Sequence, residues 1–388
     1  MRKARTSSTL LPLLLLANCF PYSPMPGERA APALRKLADA QILDMKVNLH
    51  KQEGLCPGKQ GKLYVNGTVQ WPGMQPVLRS LGNDVDSFSA ASYSITGPLI
   101  RGDAQANLFP DPDVQKSIES GFETKVVYTL DPKWTFHEVW KPEYSCFTGW
   151  GVNGEGGGQG NSGGGGYHGD PGRNGSSGQP GGHGEQGGPG GRVTAYVTIV
   201  STKFYDRLLA VVANGNFFLA PADRQLAFAA IGGPGGAGGN GGDGGAGGDQ
   251  PTKSITETDE NNNTTTVIVG NGPAGNGASG GNGGYGGDGG NGGVVDVTYD
   301  AAFPELRQLI VTDVGGGQGG EAGGGGNGGN GGGTNATRGA QQGSSGGPGQ
   351  EGGPGRTGSP GRAAVHPGAV SSQFRNIHGM QIVGTRRH

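Results

Sequence analysis

The chain has 388 residues, 86 of them glycine and 25 proline, and its 29 Lys and Arg stand against 31 Asp and Glu. Ordinary chains hold about 7% glycine and about 5% proline, so composition points away from a single ordinary globular domain. The near balance of charge excludes the basic field that phosphate backbones require, and with it a nucleic-acid partner.

Arg2, Lys3 and Arg5 precede the apolar stretch "LLPLLLLA", Leu10 to Ala17, which is too short to span a bilayer and reads as the core of an export signal. A cysteine follows directly. "LLANC", with Leu16, Ala17 and Asn18 before Cys19, resembles the lipobox of bacterial lipoproteins. The resemblance implies a signal peptide over 1–18, a lipid anchor on Cys19 and membrane attachment through that lipid. Phe20 after the cysteine points to the bacterial outer membrane or cell surface. Secretory cleavage after "APA" at Ala33 is the alternative. Residues 19–33 are proline-rich and aperiodic, as a tether is.

Alternation sets in next. "LDMKVNLH" puts Leu43, Met45, Val47 and Leu49 on one face, and "KLYVNGTVQ", "FETKVVYTL" and "WTFHEVW" continue the period of two. Strands of this length between Pro, Gly and Asp turns predict an immunoglobulin-like β-sandwich over 34–149. Cys56 and Cys146 lie near its two ends. In an exported chain such a pair predicts a disulfide, with two free thiols as the alternative. Two cysteines without a histidine cluster fall short of a metal site, and no cofactor is expected. "RGD" at Arg101 to Asp103 is too short to weigh. His137 and Glu138, in "FHEVW", are neighbours on a strand and face opposite ways. The seven histidines show no zinc-protease spacing, and neither a nucleophile elbow nor a phosphate loop is present. No catalytic constellation is expected.

From Gly151 a period of three takes over. Every third residue to Gly190 is glycine, and two-glycine triplets fill "GGPGGAGGNGGDGGAGGD" from Gly232 to Asp249. Shorter or broken runs occupy Gly280 to Gly293 and Gly315 to Gly333, and a strict one-glycine run spans Gly343 to Gly361. A period of three belongs to the extended threefold helix, which rises about 3.1 Å per residue and has no internal hydrogen bonds. Bare glycine faces let backbones approach and bond laterally. The region 150–388 is therefore expected to be a polyglycine II bundle of about six passes, each roughly 55 Å long. A flexible linker and a trimeric collagen-like stalk are the rivals.

The apolar connectors 192–231 and 294–314 look like distant copies of one β-rich unit, expected to cap the rods and fix their register. "QPTKSITETDENNNTTTVIV" between two runs reads as an exposed hairpin or loop. The one-glycine runs resemble bacterial collagen-like proteins, and "GGAGGNGGDGG" looks like the glycine-rich region of mycobacterial PE-PGRS proteins. The set of short runs is similar to the polyglycine II bundles of glycine-rich antifreeze proteins and phage adhesin tips.

The third residue of each triplet is free to face a partner. Asn240 and Asp243 in one run, and Asn282, Tyr285, Asp288 and Asn291 in another, form rows at about 9 Å spacing, with hydrogen-bonding groups and one ring suited to carbohydrate. These expectations describe an exported, lipid-anchored, non-enzymatic surface protein with a structural or adhesive role, its partners the membrane and carbohydrate or other envelope proteins. A glycan-recognition module is the alternative.

Overall fold

The computed structural model describes residues 35–51 and 53–384. Cys19, the signal segment 1–18 and the tether 19–33 lie outside them. The described chain is mostly β, with twenty strands and two short α-helices. It forms two compact units, one of residues up to Asn48 with Tyr64–Ser92, the other of Leu49–Leu63 with Tyr93–His388. That division runs through 34–149 instead of falling at its end.

The first nine strands are β1 (Gln41–Leu49), β2 (Gly54–Leu55), β3 (Gly61–Gln70), β4 (Val77–Ser80), β5 (Tyr93–Gly97), β6 (Ile100–Gly102), β7 (Asn107–Pro110), β8 (Phe122–Tyr128) and β9 (Thr135–Pro142). In the first unit β3 pairs with β1 and β4. Its Val65 and Val69 are buried, and Gly67 lies where a Cβ would come within 2.5 Å of the Asp44 carbonyl oxygen. In the second unit the first residues of β3 begin the order β3-β7-β6-β5-β8-β9-β2. This single hydrogen-bonded path departs from the two facing sheets expected of an immunoglobulin-like sandwich. Short turns make sequence neighbours pair side by side, and helix α1 (Val114–Ser120) intervenes between β7 and β8. Asp113 caps α1 by accepting from Gln115 N at 3.0 Å. The helix buries Val114 and Ile118 against Tyr144 and residues of later strands.

Those later strands are β10 (Gly149–Gly151), β11 (Arg192–Thr202), β12 (Leu208–Ala213), β13 (Asn216–Pro221), β14 (Leu226–Ala229), β15 (Thr252–Thr258), β16 (Thr264–Gly270), β17 (Val294–Asp300), β18 (Ile310–Asp313), β19 (Arg362–Gly368) and β20 (Met380–Ile382), with α2 (Leu306–Leu309) before β18. Two parallel trios organise them: β10-β14-β18, and β11-β17-β19 extended by β12, β13 and β20. Val193, Ala195, Val197 and Ile199 of β11, with Val295 and Val297 of β17, share a core with Leu226 and Phe228 of β14 and Ile310 of β18. On the other side of β11, Val200 joins Leu208, Ala210 and Leu219 under α1, Tyr144, Val370 and Phe374. Covering both faces of β11 buries four consecutive residues, Val197 to Val200.

Six extended glycine passes connect the two trios, over 152–169, 174–190, 231–249, 274–293, 315–333 and 343–361. The first run, about twice as long as the others, folds back at Asp170 to Arg173, where Arg173 N donates to Asp170 O at 2.8 Å and Gly172 takes φ +76°. The first, third and fifth passes leave β10, β14 and β18, while the second, fourth and sixth enter β11, β17 and β19. Each pass bonds antiparallel to the next in the chain, as Gly239 N to Gly182 O and Gly284 N to Gly239 O, both 2.8 Å. It bonds parallel to the next but one, as Gly157 N to Pro234 O and Gly241 N to Gly324 O, again 2.8 Å. Two three-pass layers result, with chains parallel within a layer and antiparallel between layers.

Candidate functional surface

Register passes unbroken from the strands into the passes. Gly151 pairs with Ala229 in the sheet, and the same 78-residue offset places Asn153 Oδ1 3.0 Å from Ile231 N and His168 Nδ1 3.1 Å from Ala246 O. Leu226 pairs with Ile310, and that offset of 84 recurs in Gly324 N to Asn240 Oδ1 and Gly333 N to Asp249 Oδ1. In the other layer Arg192 pairs with Val294, and Asn276 N still reaches Asn174 Oδ1 at the same offset, 102 residues along the chain. The apolar sheets thus align polar passes that have almost no apolar surface of their own.

Within the two-glycine triplets of the third and fourth passes both glycine amides point at neighbouring passes, while the third residue and its amide face solvent. Asn and Asp side chains satisfy those outward amides. Asn240 Oδ1 accepts from Gly324 N at 2.9 Å and Asp243 Oδ1 from Asn327 N at 2.7 Å. Across the other layer Asn282 takes Gln350 N at 2.9 Å, Asp288 takes Arg356 N at 2.7 Å and Asn291 takes Ser359 N at 2.9 Å. Five of the six residues expected to meet a ligand therefore hold the surface together through one oxygen each. The row of Asn240 and Asp243 belongs to one layer and that of Asn282 to Asn291 to the other, so the two rows do not form one surface.

Tyr285 differs. It is 59% exposed, and its own amide donates to His183 Nδ1 at 2.9 Å. The His183 ring stands 5.4 Å from the Tyr285 ring, and Gly353 on the other side leaves room where a Cβ would come within 3.0 Å of that ring. A tyrosine set between His183 and a bare glycine is a planar platform on an otherwise polar face. The period of three marks the outward rows, but it gave no sign of the cross-pass amide capping or of His183 beside Tyr285, which join residues 68 to 102 positions apart.

At the far end of the passes Gln250, only 5% exposed, is fully used. Its Nε2 donates to Gly272 O at 2.7 Å and Gly339 O at 2.9 Å, while Oε1 accepts from Thr334 Oγ1 and from Gln341 N at 3.2 Å. The hairpin β15–β16 projects beside it, its turn held by Asp259, whose carboxyl is lowered chiefly by the Asn263 side-chain amide.

Cys56 and Cys146 stand at disulfide distance, Cα atoms 6.4 Å apart. Asp103 of the "RGD" tripeptide is tied into its own turn by Gln105 N, Asn107 N and Asn107 Nδ2, each at 2.9 Å. His137 and Glu138 occupy adjacent positions of β9, opposite Lys125 and Thr124. A cavity of about 440 Å³ lies by Glu143, Tyr144, Tyr205 and Asp223, with Lys141 Nζ 3.9 Å above the Tyr205 ring and the Tyr205 hydroxyl donating to Pro142 O. Burial pushes the Tyr205 hydroxyl far above the usual tyrosine range. Among the described residues no three His, Cys, Asp or Glu are grouped to hold a metal ion, and no helix is long and apolar enough to cross a membrane. No protein-family model, curated protein or solved structure matches the chain.

Proposed function

We propose that the protein is a non-enzymatic structural or adhesive module of a bacterial cell surface, exported and held by a lipid on Cys19, and that its six passes are a polyglycine II bundle. The observation that carries this reading is the lateral ladder: glycine amides of every pass reach carbonyls of neighbouring passes in the same chain, with parallel and antiparallel neighbours alternating. A threefold helix repeats each outward side chain at about 9 Å and turns its glycine faces inward. Cys56 and Cys146 at disulfide distance fit an oxidising compartment. Partners for the ladder within one chain speak against a trimeric stalk.

Hydrogen exchange on the full chain tests the reading. Glycine amides of 232–249 and 280–293 are expected to exchange far more slowly than those of a free coil, and a positive dichroism band near 220 nm is expected to melt cooperatively at a temperature independent of concentration. Coil-like exchange in these segments would sink it. Tyr285 supports a second reading as a glycan platform: saturable binding on a glycan array, lost in Tyr285→Ala, is its expected signature.

A further inference from the structure

The ladder has a direction, and so the slab has two unlike edges. In the second layer Gly277, Gly280, Gly283, Gly286, Gly289 and Gly292 of the fourth pass donate their amides to the sixth. The equivalent positions of the sixth pass, 68 residues on, are Ser345, Pro348, Glu351, Pro354, Thr357 and Pro360. These would carry the ladder to a further pass, and every second one is a proline with no amide hydrogen to give.

The opposite edge offers acceptors. The carbonyls of Ser177, Pro180, His183 and Gln186 occupy the positions that, in the fourth pass, receive amides from the second. A donor edge on one copy and an acceptor edge on another make a head-to-tail contact that does not close, the arrangement that grows into open fibres.

That edge also carries amides, those of the first pass, and two of them are capped. Gly236 N donates to Glu185 O at 2.9 Å and Gly245 N to Ser176 O at 2.8 Å. Their equivalents in the first pass, Gly158 and Tyr167, have no earlier pass to reach. Instead Gly158 N donates to the Glu185 carboxylate at 3.2 Å and Tyr167 N to Ser176 Oγ at 2.6 Å. Ser345 Oγ in the last pass does the same for Gly331 N, at 3.4 Å.

We propose that Pro348, Pro354 and Pro360 on one edge of the second layer, with Ser176 and Glu185 capping first-pass amides at the other edge, hinder edge-to-edge addition of a second copy of this chain, as prolines and charges guard the edge strands of a β-sheet. The proposal rests on the polyglycine II reading.

The test is sedimentation of the full chain beside a variant carrying Pro348→Gly, Pro354→Gly, Pro360→Gly, Ser176→Gly and Glu185→Gly, with hydrogen exchange run in parallel. The native chain is expected to keep one size, while the average mass of the variant at least doubles over about a hundredfold rise in concentration, as open head-to-tail addition demands. Pro234→Gly, on an outward row and away from both edges, is the control and is expected to stay the native size. A variant with protected glycine amides that remains monomeric would overturn the edge proposal alone. Association of the native chain, or equal association of the Pro234→Gly control, would overturn it too. Unprotected amides in the native chain would remove the bundle and the edges together.

Discussion

A methyl group on Gly239 would stand 2.0 Å from the carbonyl oxygen of Asn161, and one on Gly284 would stand 1.9 Å from that of Gly182. At Gly347, on the outward row of the sixth pass, nothing lies within 4 Å. Ala278 and Ala322 occupy inward positions, so the lattice yields to an isolated methyl, and valine is the discriminating substitution. Gly239→Val is expected to cost about 1–3 kcal/mol or more through overpacking against backbone that cannot swing aside, and Gly347→Ala to be near neutral. Calorimetry on the two variants checks the contrast, and equal melting temperatures would contradict it. Capping of the outward amides gives a subtler expectation. Asn282→Ala strands the Gln350 amide at the surface and should cost about 0.5–1.5 kcal/mol, whereas Asp288→Asn keeps an oxygen for Arg356 N and should cost less.

Gln250 and the turns around it behave as one element. Its amide nitrogen faces two carbonyls, of Gly272 and Gly339, and its oxygen faces two donors. Gln250→Glu would put a second oxygen against both carbonyls in a buried place, where an unpaired charge is costly. The variant is expected to speed hydrogen exchange in 250–273 and 334–342 by at least about tenfold, equivalent to about 1.4 kcal/mol, while strands β11, β17 and β19 keep their protection. Uniform loosening of the passes would mean that the far end is not a separate element.

Periodicity exposed several of these elements and missed others. The period of two marked β3, β8 and β9, and the period of three marked the passes and their outward rows, because both repeats report which face is covered. Pairing partners left no such trace. Nothing local distinguishes the path β3-β7-β6-β5-β8-β9 from two facing sheets, since alternation requires only that one face be buried. The doubled first run concealed a reversal, because Asp170 to Arg173 turns without breaking the glycine register. With the pairing in hand, glycine content tracks the number of neighbours at the extremes. The first and sixth passes, with two neighbours each, hold one obligatory glycine per triplet, and the third and fourth, with four, hold two. Gln250 gave no signal at all, since one buried amide has no period.

At the scale of the molecule, the second unit joins the strands before Gly149 to the sheets that align the passes, and Tyr144 sits where they meet. It packs with Val114 and Ile118 of α1 against Val200, Leu208 and Leu219, and the Tyr205 ring lies tilted beside it with ring centroids 5.9 Å apart. Burial pushes the Tyr144 hydroxyl up to about 12, whereas an exposed tyrosine ionises near 10. The folded chain thus keeps Tyr144 neutral after the unfolded chain has released its proton, so its contribution to stability is complete below about pH 10 and falls away as the pH climbs towards 12. A shift of this size is worth about 3 kcal/mol. Because the same core holds α1 and β11, which the second pass enters and which pairs with β17, that loss should not be confined to one end. In denaturant melts between pH 9 and 12 of a chain carrying Trp71→Phe and Trp150→Phe, the fluorescence of Trp134 and Trp140, which precede the passes, and the 220 nm band of the passes are expected to lose stability together. Tyr144→Phe, which retains Tyr205, should flatten part of the pH dependence in both signals. If the variant flattened it in the fluorescence alone, the passes would be independent of this core, and the register carried from the sheets into the glycine layers would not need it.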